Sequence, residues 1–262
     1  MKKFLIMIFL ILVSSAVSAK QINLVLPTAC DSSHAYFHDL LNQSLDLIGY
    51  NLTIEAVGPM PQSRIVHELK RNKISLYWLV ESELRNKKYT PVEVGITDGS
   101  IGKRVLLIRQ GSQKFYNDIK TLDDFRKLDL VGGFGKGWFD VDVWETNDLP
   151  YMEITGDWKK LYKMIAVGNR GVDYFSRGTN EIVNESYLYP FLEIEKKLLF
   201  VYNRDFRFYL SNASSRHKTV LEKALNKAIE TGLMNSLIHK HWTKDFNVLD
   251  INNRIHLKLK NK

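Results

Sequence analysis

The chain has 262 residues, 45% of them hydrophobic and 11% aromatic, which suffices for a packed core and excludes a disordered segment. Thirty-seven Lys and Arg against 29 Asp and Glu leave a formal charge of +8, but much of the excess sits near the two ends and the rest is dispersed, arguing against a nucleic-acid surface. Cys30 is the only cysteine, so no internal disulfide forms and stability rests on the core; it is read as an inert thiol, since no His-containing motif accompanies it.

Residues 1–19 read as an export signal. Lys2 and Lys3 precede an apolar run over 4–13, and Val17-Ser18-Ala19 fits a small-residue cleavage site, so the mature chain is expected to start at Lys20 in the periplasm. The run is shorter than the roughly 20 apolar residues a membrane span needs. A strand follows at 22–26, stopped by Pro27, then a helix at 34–48 closed by Gly49 and a strand at 50–56. Pro59 and Pro61 bracket a turn before a helix at 63–71 and a strand at 74–80. This β-α-β-α-β order predicts a parallel sheet covered by helices.

An apolar strand at 102–109 restarts the pattern, with a helix at 122–128, a strand at 130–133 and a Gly-rich loop at 132–137. Helices at 138–147 and 158–167 flank a strand at 151–154, and a further strand spans 172–175. Strands at 198–202 and 207–211 lead to a helix at 219–231, closed by Gly232, and a final helix at 233–242. The expected fold is therefore α/β and two-lobed. Residues 20–106 and 204–248 form lobe 1, residues 107–203 form lobe 2, and two hinge strands near 104–109 and 200–207 join them. Residues 249–262 are expected to be a basic, solvated tail.

The order of these pieces resembles the periplasmic solute-binding proteins of the amino-acid-binding family (family 3), along nearly the whole mature chain. The strongest local likeness is 204–242, where FRFYLSN, a helix of ALNKAIETGLMNSL type and a terminal Trp are similar to that family's last hinge strand and closing helices. IKTLDDFRKLDLVGGFGKGW is similar to its segment of short helix, strand and Gly-rich ligand loop, and VGNRGVDYFSRGTNEI to a strand of its second lobe. The resemblance implies a type II binding-protein fold whose two mainly parallel sheets close over a ligand. It also implies that Ser82-Glu83-Leu84-Arg85 partly matches a Thr-x-x-Arg whose Arg pairs with the ligand carboxylate. Asp173 fits a structural Val-Asp, while Arg177 stands where many members carry an Asp for the ligand's ammonium, which argues against a free α-amino acid.

Candidate site residues follow from chemistry. Ser176 and Arg177 stand at the carboxyl end of a strand, where open α/β sheets bind ligands; the Arg177 fork suits a carboxylate or phosphate, or else pairs with Glu181. Arg64 reaches the cleft or pairs with Glu68, and Arg85 poses a similar choice. The loop at 132–137, with Gly135 and Gly137, offers N–H groups to an anion, or its glycines serve only a tight turn. Trp138 stacks on a ligand or fills the core; Trp78 and Tyr174 pose the same question. His34 and His38 share helical spacing, but no third metal ligand is recognisable, so neither metal nor cofactor is expected.

The function expected is an exported, monomeric solute-binding protein without catalytic residues. It would take a small polar ligand, anionic or amide-bearing, and serve a membrane permease in ABC-type uptake or a membrane sensor. The rival readings are a dehydratase-like periplasmic enzyme using Glu181 or Asp140, and a ligand-free scaffold for protein contacts, its cleft plugged by its own side chains.

Overall fold

Alternating apolar residues on the strands and apolar stripes on the helices build two lobes, each around its own sheets. The structure, a computed structural model, describes residues 20–28 and 35–261; the expected export signal at 1–19, Cys30 and His34 lie outside the described residues. None of the described helices is long and apolar enough to cross a membrane.

In the first lobe β1 (Lys20–Pro27) pairs in parallel with β2 (Tyr50–Val57), separated by α1 (Ala35–Asp46). After α2 (Gln62–Lys70) comes β3 (Leu76–Val80), buried along its whole length, then α3 (Glu83–Lys88) and the short β4 (Thr90–Pro91). Leu24, Tyr36, Phe37, Leu40, Leu76 and Trp78 share one core.

The chain then passes to β5 (Lys103–Arg109), the middle of the second sheet. There follow α4 (Leu122–Arg126), held by a capping box between Thr121 and Asp124, β6 (Gly132–Gly135), α5 (Phe139–Thr146) and β7 (Tyr151–Ile154). Next are α6 (Lys160–Val167), β8 (Tyr174–Gly178), α7 (Ile182–Leu188), β9 (Leu192–Ile194) and β10 (Leu198–Val201). The chain returns as β11 (Phe206–Leu210), which pairs antiparallel with β3 and β4, and runs through α8 (Lys218–Glu230) and α9 (Leu233–Leu249) to β12 (Ile255–Lys258).

The second sheet runs β12-β10-β5-β8-β6-β7, with β9 also on β5. Side chains of β5 alternate between its faces: Leu106 and Ile108 join Phe134, Trp144 and Phe200, while Val105 and Leu107 join Leu161, Ile165 and Phe175. The sheets are not the mainly parallel ones expected: the first lobe has a parallel β1-β2 pair beside an antiparallel β3-β11-β4 sheet, and the second-lobe sheet is mixed, with β5 antiparallel to β8, β9 and β10. The segments between the sheets are 92–102 and 202–205, beside each other, with Tyr202 N–H donating to the Gly102 carbonyl at 3.0 Å. Residues 104–109, expected as a crossing, lie inside β5.

The expected solvated tail is corrected. β12 pairs in parallel with β10, and Leu257 and Leu259 are buried in the second lobe. Arg254 donates to the carbonyls of Leu249, Glu195 and Leu198, and the Asn147 amide both donates to the Lys260 carbonyl and accepts its N–H, at 2.8 and 2.9 Å. α9, seven residues longer than expected, packs Trp242 in the first lobe's core and Leu249 in the second's.

Candidate functional site

A cleft of about 570 Å³ is lined from both lobes. One wall comes from the first lobe: Phe37 on α1, Tyr77 and Trp78 on β3, Arg85 on α3, and Trp242 on α9. The facing wall belongs to the second lobe: Arg104 on β5, Trp138 and Asp140 at the start of α5, Trp158 before α6, Arg177 on β8, and Glu181 and Glu185 at α7.

On the first wall Ser82 caps α3 by accepting the Arg85 N–H at 3.3 Å. The Arg85 guanidinium donates to the Val80 carbonyl at 2.5 Å and stands 6.0 Å from the Phe139 ring across the cleft. Among the described residues no carboxylate lies within ion-pair distance of it. Burial lowers its pKa, with Tyr209 and Asp140 opposing. Trp78 lines the floor, stacked on Phe37 at 4.5 Å between centroids.

The second wall is an alternating row of charges. Arg104 holds Asp140 at 2.8 Å and reaches Glu181 at 3.4 Å, and Tyr202 donates to Asp140 at 3.1 Å. Arg177 holds Glu181 at 2.6 Å and grips Glu185 with two nitrogens, Nη2 at 2.5 Å and Nε at 2.7 Å. Burial alone would lower the Arg177 pKa, but Glu181 and Glu185 outweigh it and raise it well above the ordinary value. Burial raises the Glu185 carboxyl, against the pull of Arg177. Three carboxylates against two guanidiniums leave this wall one negative charge in excess.

Aromatic rings enclose the Arg177 guanidinium: Trp138 at 5.1 Å, Trp158 at 4.9 Å and Phe175 at 4.9 Å from ring centroid to Cζ. Trp138 reaches this position because Gly135 has no side chain; a Cβ there would sit 2.6 Å from the indole.

The structure thus brings Trp78, Arg85, Trp138 and Arg177 to one cleft and leaves the other five expected residues outside it. Arg64 is exposed on α2. Tyr174 and Ser176 point to the opposite face of β8 from Arg177, and Tyr174 accepts the Trp144 indole N–H at 2.7 Å. The strand expected at 172–175 ends later because Ser176 and Arg177 still pair with Leu106 and Val105 of β5.

The Gly-rich stretch is no anion cradle. Gly132, Gly133 and Gly135 lie in the buried strand β6, where Cβ atoms would collide with Tyr174, Leu161 and Trp138. Only Gly137 occupies a left-handed turn, φ 74°, with its N–H bound to Glu153 at 3.0 Å. Sequence reasoning missed Glu185. It stands four residues from Glu181, a spacing that would have shown them as one helix face had α7 been foreseen.

No protein-family model and no curated protein sequence matches the chain. Solved structures do match its fold. An ancestral arginine-binding protein bound to glutamine superposes with a TM-score of 0.61 at 13% identity, over 84% of this chain and 97% of that one. An amino acid ABC transporter substrate-binding protein from Streptococcus pneumoniae, bound to L-arginine, gives 0.60 at 15% identity, over 84% and 94%. An ancestral amino acid-binding protein, a precursor of cyclohexadienyl dehydratase, gives 0.59 at 12% identity, over 84% and 95%. The chain therefore has the two-lobed periplasmic-binding-protein fold. Its structural neighbours are amino acid ABC transporter substrate-binding proteins at low sequence identity, as the sequence resemblance implied.

Proposed function

We propose that this protein is an exported, monomeric solute-binding protein that holds a small polar ligand between its lobes and hands it to a membrane permease or presents it to a membrane sensor. Arg85 carries this reading. It is a half-buried guanidinium facing the cleft with no carboxylate of its own among the described residues, and a ligand carboxylate or amide oxygen supplies an acceptor. Trp78 and Phe139 give the apolar sides of that seat, and the excess negative charge near Glu181 favours a ligand that also carries hydrogen-bond donors. The fold neighbours with bound arginine or glutamine support a ligand of that size.

Thermal-shift screening of the mature protein against amino acids, amides, dicarboxylates and sugar acids tests the reading, followed by calorimetry on Arg85→Met. A hit that binds the wild type and loses about 10- to 100-fold with Arg85→Met is expected, the worth of one charged hydrogen bond. A panel without a stabilising compound, or a hit indifferent to Arg85, counts against it.

The dehydratase-precursor neighbour favours a second reading, an enzyme on the same scaffold. The acids that the sequence offered for it, Asp140 and Glu181, are both held by arginines here. Turnover of a screened compound that Glu181→Gln abolishes would favour the enzyme.

A further inference from the structure

We infer that the aromatic box on the second lobe is a guanidinium-recognition subsite that the chain fills with its own Arg177. All the parts that select a guanidinium over other cations are present. Trp138, Trp158 and Phe175 offer ring faces about 5 Å from its central carbon. Glu185 accepts side-on from Nε and Nη2, the paired geometry that a planar fork satisfies and a spherical ammonium does not. Glu181 accepts a further hydrogen bond from Nη2 at 2.6 Å. The box is roofed by ring-to-ring contacts, Trp138 on Trp158 at 5.3 Å and on Phe175 at 5.9 Å, and Gly135 leaves the room that Trp138 needs.

Occupancy from within has a consequence for specificity, which rests on the solute-binding reading. The box opens on the same cleft as Arg85, so a solute with a guanidinium or similar cationic side chain finds its place taken. Arg177 therefore sets the ligand class by exclusion, and confines the solute to the space between Arg85 and the ion-pair row.

Vacating the box tests this without any knowledge of the solute. Arg177→Ala leaves a cavity with the box rings and two carboxylates around it. Millimolar ethylguanidinium is expected to raise its melting temperature saturably, while ethylammonium and the neutral isostere N-ethylurea do not, and to change the tryptophan fluorescence. The wild type is expected to respond to none of the three. Equal responses to ethylguanidinium and ethylammonium, no response at all, or the same response from the wild type would overturn the inference. Should Arg177→Ala not fold, Arg177→Ala with Glu185→Gln removes the more deeply buried of the two stranded charges, while Glu181 keeps Arg104 at 3.4 Å. That double variant is expected to prefer N-ethylurea over ethylguanidinium, and a retained guanidinium preference would overturn the assignment of Glu185. Failure of the Arg85 screen sinks the solute reading and leaves the outcome at the box standing, so the two failures are distinguishable.

Discussion

Arg85 and Arg177 face the same cleft from opposite lobes and are the same residue chemically, yet their surroundings divide their roles. Arg177 is 6% exposed, clasped by two carboxylates and boxed by three rings. Arg85 bonds one backbone carbonyl and meets no carboxylate among the described residues. A buried charge with its counter-charges already present is part of the wall. A half-buried charge without one still has its strongest interaction to make.

The largest test of that division is Arg177→Ala. It strands Glu185 and Glu181, and urea denaturation is expected to show a loss of about 3–5 kcal/mol, as for a broken buried pair. A loss under about 1 kcal/mol would erase the contrast with Arg85. Gly135→Ala comes next. The new methyl overlaps the Trp138 indole, and a cost of about 1–3 kcal/mol with a shifted tryptophan emission is expected.

Glu185→Gln sharpens the electrostatic side. The folded carboxyl titrates above its ordinary value of about 4.3, so between the two values the native state holds a proton that the unfolded chain releases. Stability then falls as pH rises through that window, and the difference in urea stability between wild type and Glu185→Gln, followed from about pH 4 to pH 8, is expected to carry that slope. A flat difference would mean that Arg177 fully cancels the cost of burial. The smallest effect on stability is expected from Arg85→Met, under about 1 kcal/mol, since one hydrogen bond and no ion pair is lost.

Helix and strand order was legible wherever apolar spacing was strong, as in β3, α6 and α8. Arg85 was singled out by its partial match to a Thr-x-x-Arg and Trp138 by its place after the Gly-rich stretch, and both line the cleft. Ser176 was misplaced because two polar residues looked like the end of a strand. The pairing with β5, distant in sequence, keeps that strand running. The glycines of β6 suggested a loop, since nothing local reveals that Tyr174 and Leu161 close on Gly132 and Gly133. For β12 a signal was present and outweighed: Ile255, Leu257 and Leu259 alternate with His256, Lys258 and Lys260, a half-buried strand pattern read as mere basic charge.

The end of α9 gives the lobes a third joint. Two neighbouring crossings, at 92–102 and 202–205, would by themselves give the lobes a single pivot line. The third runs from Trp242 in one core to Leu249 and β12 in the other, and its anchors, Arg254 and the Asn147 clasp, leave little slack. Any swing must then pivot close to the end of α9 or bend that helix. A cleft that closed by hinge bending would thereby be limited by a strut, much as a door is limited by its stay.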